Sequence, residues 1–496
     1  MLKLSGKYKE IYDLIANINT QAYNDRLLIA NQVLSKNPFT GTMLSNYLHD
    51  LPPQIVPRKR LIIKLLVYYL KTLVLLLLWP VKKSLFHYLY RKKKPLTEPS
   101  VVIDTFFLIK NITHSGSYSD TYLPGLDTVL DKHHIGYSYL PLFYGSRKLS
   151  DFVRTLKTLA GQRTDIISEF DLIDARSFGH LAFDTLLYPW KVLRLAKQFK
   201  NSPNILKQYL YADLLHTIDT NSFDALCRYY QGKALSKKEH VSKLILWYEN
   251  QIIDKLLLLG INSHTKSIKT YGAQLLIYGP SVLNMIVDPE EKKFSLLPDK
   301  ILYNGSKYLQ QESALHESAG PALRYKKIFS LTKKHEKSII LAVLPLYVDD
   351  IYNILDFIET IPSKVIIKPH PAVASESFSS KVPDNASIAH EDIYELFSHS
   401  SLIISAATGA VVEAVAVGIP VLLIKNTQRF DYALLNEGKG EIWQDASNKE
   451  EFHRAFDILQ RTEEKVIHKW ANYYKTHYFN EPTEENIIKA FDLDKG

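Results

Sequence analysis

The run "SIILAVLPLYVDDIYNILDFIETIPSKVIIKPHP", 338–371, constrains this chain more than any other stretch. It reads as strand, loop, helix and strand. "SLIISAATGAVVEAVAVGIPVLLIKN", 401–426, repeats that order, with a small-residue turn before its helix and a Gly-Ile-Pro turn after it. Strands that alternate with helices build a parallel sheet covered by helices on both faces. A weaker form of the same alternation starts at Ser100. "SVVIDTFFLIKN" is a strand run interrupted early by Asp104, "THSGSYSD" a polar loop, "YLPGLDTVLDKH" a helix and "GYSYLPLFYG" the next strand. "SKLILWYEN" and "QIIDKLLLLG" add a strand and a helix that Gly260 closes. "SIKTYGAQLLIYGP" and "LLPDKILYNGSKYLQ" complete this half, with Asp299 and Asn304 as turn residues.

A chain of 496 residues exceeds what one hydrophobic core serves. The expected plan is a helical N-terminal region at 1–99 and a first Rossmann-like lobe at 100–310. That lobe carries a helical insertion, 150–241, whose Trp190, Tyr209, Tyr211, Tyr229 and Tyr230 read as packing. A polar linker at 310–334, a second Rossmann-like lobe at 335–470 and a C-terminal helix at 471–496 follow. The fold class is α/β, two doubly wound lobes with a cleft between them. The single cysteine, Cys227, excludes an internal disulfide framework and a multi-cysteine metal site.

Net charge is +9, and the excess is local. Between Leu51 and Thr97 there is no Asp or Glu, while Arg58, Lys59, Arg60, Lys64, Lys71, Lys82, Lys83 and Arg91 to Lys94 all fall there. Charge roughly balances elsewhere, which is not the pattern of a nucleic-acid binder. Inside the basic window, residues 61–79 ("LIIKLLVYYLKTLVLLLLW") predict a helix of about 28 Å ended by Pro80, close to the thickness of a bilayer core. Lys64 and Lys71 share nearly one face and basic clusters flank both ends, without the asymmetry that orients a spanning helix. The favoured reading is an interfacial helix whose lysines reach anionic headgroups, ahead of a spanning or a core helix. It predicts a peripheral protein on the cytoplasmic face of a membrane.

In doubly wound lobes the functional loops lie at the carboxyl ends of strands. Lys368-Pro369-His370-Pro371 lies at such an end, as do Ser405, Thr408 and Gly409. Together they suit an anion: lysine supplies charge, imidazole an N–H, and the turn hydroxyls and backbone N–H groups. Glu413, the one charge on its helix, suits a vicinal diol such as ribose, or simply a helix start. In the first lobe, Glu249 ends a strand beside the cleft and is the leading candidate for base or nucleophile, with Asp120 second.

"KPHP", followed some thirty-five residues later by the Ser, Thr and Gly turn and "EAVAVGIPV", resembles the donor lobe of GT-B glycosyltransferases acting on bacterial surface carbohydrate. Its His-Pro pair is similar to that of capsular polysialyltransferases and Kdo transferases, which use CMP-activated sugars. Ser405 is followed here by Ala406, where the polysialyl group pairs two serines. The spacing of Glu413, Gly418 and Pro420 is shared more widely among GT-B enzymes, whose glutamate often contacts the nucleotide ribose. "SYSDTYLPGL", "WYENQIID" and "LPDKILYNGS" resemble a group of surface-polysaccharide proteins.

The resemblance implies transfer of a sugar from a nucleotide-sugar donor, CMP-linked by preference, to an oligosaccharide or lipid-linked glycan acceptor. It implies neither metal nor further cofactor, with Lys368 and His370 stabilising the leaving phosphate and Glu413 on the ribose. Glu249 as nucleophile would retain the anomeric configuration and as base would invert it. A CDP-glycerol glycerophosphotransferase, a UDP-sugar 2-epimerase and a non-catalytic membrane-bound scaffold are the alternatives.

Overall fold

The computed structural model describes residues 6–36, 42–264, 268–311, 314–331, 339–406, 408–425 and 434–494. It contains two parallel six-stranded sheets. The first orders β2 (Tyr137–Tyr144), β1 (Val101–Leu108), β3 (Lys243–Trp247), β4 (Lys269–Gln274), β5 (Lys300–Tyr303) and β6 (Glu317–Ala319) side by side. The second orders β12 (Trp443–Ala446), β11 (Val421–Ile424), β10 (Ser400–Ser405), β7 (Ile339–Val343), β8 (Val365–Lys368) and β9 (Ala386–Ile388). Strands such as "LILW" and "LIIS" are buried on both faces because helices cover both, as parallel sheets require. Asp104 does not interrupt β1: it is buried against the guanidinium of Arg228, 2.5 Å away. The first lobe runs beyond 310, since β6 pairs with β5; the expected linker thus contributes an edge strand, and its last residues, 332–334, lie outside the described ones.

The helices labelled here are α1 (Gly6–Ala22), α2 (Arg58–Phe86), α3 (Leu149–Ala160), α4 (Ala175–Lys197), α5 (Ile205–His216), α6 (Phe223–Leu235) and α7 (Ile252–Asn262) in the first lobe. The second lobe carries α8 (Val348–Ile358), α9 (Ile393–His399), α10 (Ala410–Ala416), α11 (Lys449–Gln460) and α12 (Glu464–His477). A final helix, α13 (Glu484–Ala490), lies back on the first lobe. The N-terminal region is not an appendage. Ile11 and Ile15 of α1 share one core with β1, β3 and α4 to α7. Lys36, wholly buried, pairs with Glu291 at 3.0 Å; Lys255 of α7 meets the other carboxylate oxygen at 2.7 Å. These two ammoniums hold the Glu291 carboxyl down to about 2 despite its burial.

Three sequence expectations need correction. Helix α2 does not stop at Pro80 but runs through it to Phe86 and a π-turn ending at Arg91. Trp79 stacks on Phe178 at 4.4 Å and Phe86 on Tyr90 at 5.4 Å, so burial on both sides of the proline outweighs its missing N–H. Gly260 closes no helix: α7 continues to Asn262, and a Cβ at 260 would stand 2.2 Å from the Tyr229 carbonyl. The reciprocal position, Gly232, would meet the Leu257 carbonyl at 2.2 Å, so these glycines mark the crossing of α6 and α7. The C-terminal segment is not one helix either. α12 ends at His477, the chain crosses to the first lobe, and α13 follows. Asn304 makes that crossing: its backbone carbonyl accepts from Asn480 N–H, and its amide donates to the Tyr478 carbonyl at 3.1 Å. Gly418 does end α10, with φ at +80°, where a side chain would be strained.

Candidate functional site

The second lobe presents its strand ends in the order β10, β7, β8, so the Ser405 turn and the Lys-Pro-His-Pro turn flank the loop after β7. His370 is half-buried, and burial lowers its pKa. Its Nδ1 accepts the Ala372 N–H at 3.1 Å, which places the ring proton on Nε2. A fixed Nε2–H donor at a strand end is what the sequence reading asked of this residue. Lys368 is less free: its ammonium donates to the carbonyls of His390 (3.2 Å) and Glu391 (2.5 Å). Ser405 is fully buried and donates to the Val343 carbonyl at 2.6 Å, so its hydroxyl fastens β10 to β7 rather than offering a proton to a ligand. Thr408 and Gly409 stand half-exposed before α10, and Gly409 faces Ile277, beyond β4 of the first lobe.

Glu413 lies in the first turn of α10 and accepts the Tyr394 hydroxyl of α9. Burial raises its pKa, while that bond and the charge of Arg324 lower it. Glu249 follows β3; it accepts the Trp247 indole N–H at 2.8 Å, and burial likewise raises its pKa against that bond and Arg324. Arg324 therefore acts on a carboxylate of each lobe. Its guanidinium stands 5.4 Å from the ring centres of both Tyr122 and Trp247, and among the described residues no carboxylate pairs with it directly. Nothing in the sequence reading singled it out. The three-residue neighbour Lys327 pairs with Asp392 at 3.0 Å, tying the same segment to the second lobe.

Asp120 is not at this centre. It is buried, and its Oδ1 accepts from Tyr122 N–H, Leu123 N–H and the Thr105 hydroxyl, so it fastens the loop after β1; burial lifts its pKa to about 6. The loop itself borders a cavity of 720 Å³ lined by Phe106, Lys110, Asn111, His114, Ser117, Ser119, Thr121 and Arg154. Phe106 of its wall packs on Tyr122 at 5.2 Å, and Tyr122 meets the Trp247 ring edge-on at 5.0 Å. Gln274, at the end of β4, is buried and bonded to Tyr278 and Met285. No three His, Cys, Asp or Glu side chains among the described residues gather as a metal-holding group.

Two doubly wound lobes, joined by the 320–331 segment and re-crossed by the chain after α12, decide the fold. It is a GT-B fold. No family model matches the chain, and no curated protein matches it in sequence. Among solved structures it is similar to Acinetobacter baumannii MurG (12% identity, TM-score 0.46, covering 80% of this chain and 100% of that one). It is also similar to the UDP-GlcNAc 2-epimerase of Neisseria meningitidis bound to UDP-GlcNAc (11%, 0.45, 80% and 100%). The spinosyn rhamnosyltransferase SpnG complexed with thymidine diphosphate is a third (14%, 0.42, 79% and 99%). These are likenesses of chain trace, and the functional reading rests on side chains instead.

Proposed function

We propose that the protein is a glycosyltransferase that moves a sugar from a nucleotide-activated donor to a glycan acceptor. The observation that carries this reading is Arg324, a guanidinium seated on two rings of the first lobe whose charge acts on both Glu249 and Glu413. Breaking the anomeric C–O bond leaves the electron pair on the nucleotide phosphate, and donors already in place lower that barrier. Arg324 and the Nε2–H of His370 are the donors, with one N–H of Lys368 and the Thr408 hydroxyl beside them. Glu413 faces the ribose. The new bond joins the anomeric carbon to an acceptor hydroxyl, whose proton passes to Glu249. Burial supports that role by making the carboxylate more basic than an ordinary glutamate.

The 720 Å³ cavity behind Tyr122 is the acceptor's place in this proposal; its hydroxyls suit a sugar, and Lys110 and Arg154 suit an anionic glycan or a lipid-linked phosphate. The preference for a CMP-linked donor comes from the Lys368-to-Pro371 resemblance. Peripheral attachment to the cytoplasmic face of a bacterial membrane comes from α2, whose outward side is apolar and free of acids. Thermal shift with CMP, CDP and UDP, followed by product analysis with the matching sugars, tests the reading. A nucleotide should raise Tm in the wild type and much less in Arg324→Ala. If no nucleotide shifts Tm and no donor yields a transferred sugar, the proposal fails.

A further inference from the structure

Helix α4 carries a stripe that packing does not explain. Trp190, expected in the interior, is 65% exposed, and Phe183 on the same face is 63% exposed, with Leu186 between them. Their spacing of three and four places them on one side of the helix. Toward either end the exposed side changes to Arg176 and His180 before Phe183 and to Arg194 and Lys197 after Trp190. The one acid of α4, Asp184, is buried and bonded to Arg26 and Tyr230.

This stripe lies beside that of α2. Tyr68 donates to the Thr185 carbonyl at 2.7 Å, Tyr69 to that of Leu186 at 3.3 Å, and Trp79 stacks on Phe178. Rising numbers on α2 meet falling numbers on α4, so the helices run antiparallel. Leu66, Leu70 (66% exposed) and Leu73 therefore stand next to Trp190, Leu186 and Phe183. By the same antiparallel register the basic start of α2 lies toward the basic end of α4, and Lys83 reaches the start of α4 by donating to the Ile173 carbonyl at 2.7 Å. The result is an apolar field with cations toward both ends and Lys71 exposed on its flank; neither helix exposes an acid of its own, and the exposed acid next to them is Asp174, which caps α4. Lys64 is not part of it: its ammonium turns inward to Asp219 at 2.7 Å.

We propose that α2 and α4 form a single docking face for an anionic lipid bilayer, with Phe183, Leu186 and Trp190 entering the acyl boundary. The inference rests on the membrane reading of α2 and extends it to a second helix. Apolar side chains flanked by cations match the chemistry of acyl chains beneath anionic headgroups; a partner protein would need acids placed at both ends of one groove.

Flotation with phosphatidylcholine vesicles, with and without phosphatidylglycerol, tests it on the full chain. The wild type should bind phosphatidylglycerol vesicles and lose binding at high salt. Replacing Phe183, Leu186 and Trp190 by Ser should weaken partition at least tenfold while leaving the melting temperature and nucleotide binding unchanged. Brominated lipid should quench fluorescence in the wild type and distinctly less in Trp190→Phe. If the α4 triple variant floats like the wild type while a Leu66, Leu70 and Leu73 to Ser variant does not, the two-helix face is wrong and the α2 reading stands. If neither variant changes flotation, both are wrong. If light scattering shows a dimer that the α4 variant abolishes without lipid binding, the face belongs to a second copy and the proposal falls.

Discussion

In the proposed reaction the chemistry falls to Arg324 and Glu249. Glu249→Gln should lower kcat about a hundredfold or more with nucleotide affinity nearly unchanged, measured by steady-state turnover beside calorimetric titration. Its pKa is raised by burial, and a base must be deprotonated, so kcat should fall as pH drops through a value above the ordinary glutamate pKa of about 4.3. Loss of that acid limb in Glu249→Gln checks the assignment. Arg324→Ala should weaken nucleotide binding by about 1.5–3 kcal/mol, the range for a hydrogen bond to a charged group, and leave nucleoside binding alone. The position of His370 at a strand end was legible, because β-formers running into Lys-Pro-His-Pro mark where β8 stops. Arg324 was not: it sits in an aperiodic polar stretch, and its meaning comes from Tyr122 and Trp247, distant in sequence. Ser405 and Asp120 misled for the opposite reason, since a hydroxyl or carboxylate at a strand end serves a loop as readily as a ligand.

Strands and the helices between them follow from hydrophobic pattern, and most were legible. What the pattern does not carry is where two helices touch. Gly260 and Gly232 look like helix stops or weak points, yet they let α6 and α7 approach backbone to backbone. Gly260→Ala should destabilise by about 3 kcal/mol or more, the upper range for overpacking, because the obstacle is a carbonyl that cannot rotate away; urea denaturation measures it. Pro80 is the converse case, a residue that ends helices in isolation and is carried through by Trp79 and Phe86.

At the level of the molecule, the N-terminal region is built into the first lobe, so deleting residues 1–94 should not release an intact soluble protein. It would expose the first-lobe core and strip Lys36 from Glu291; loss of cooperative melting in the truncated chain checks this. Glu291→Gln, which leaves two buried ammoniums without a carboxylate, should cost about 3–5 kcal/mol. The Glu291 pKa is depressed, so its contribution is full above the unfolded value of about 4.3 and is lost as pH falls toward 2. Two lobes were legible in the sequence, but the return of the chain to the first was not, because no local pattern records which surface a terminal helix meets. That return has a consequence for synthesis. Lys269 and Lys300 of the first sheet find their carboxylate in Asp492, and the Ala322 N–H meets the Asn480 carbonyl at 2.8 Å. The lobe that leaves the ribosome first is thus completed by residues that leave it only after the whole second lobe. The second lobe is a cassette threaded between them, able to finish folding while its host still waits for a closing strap.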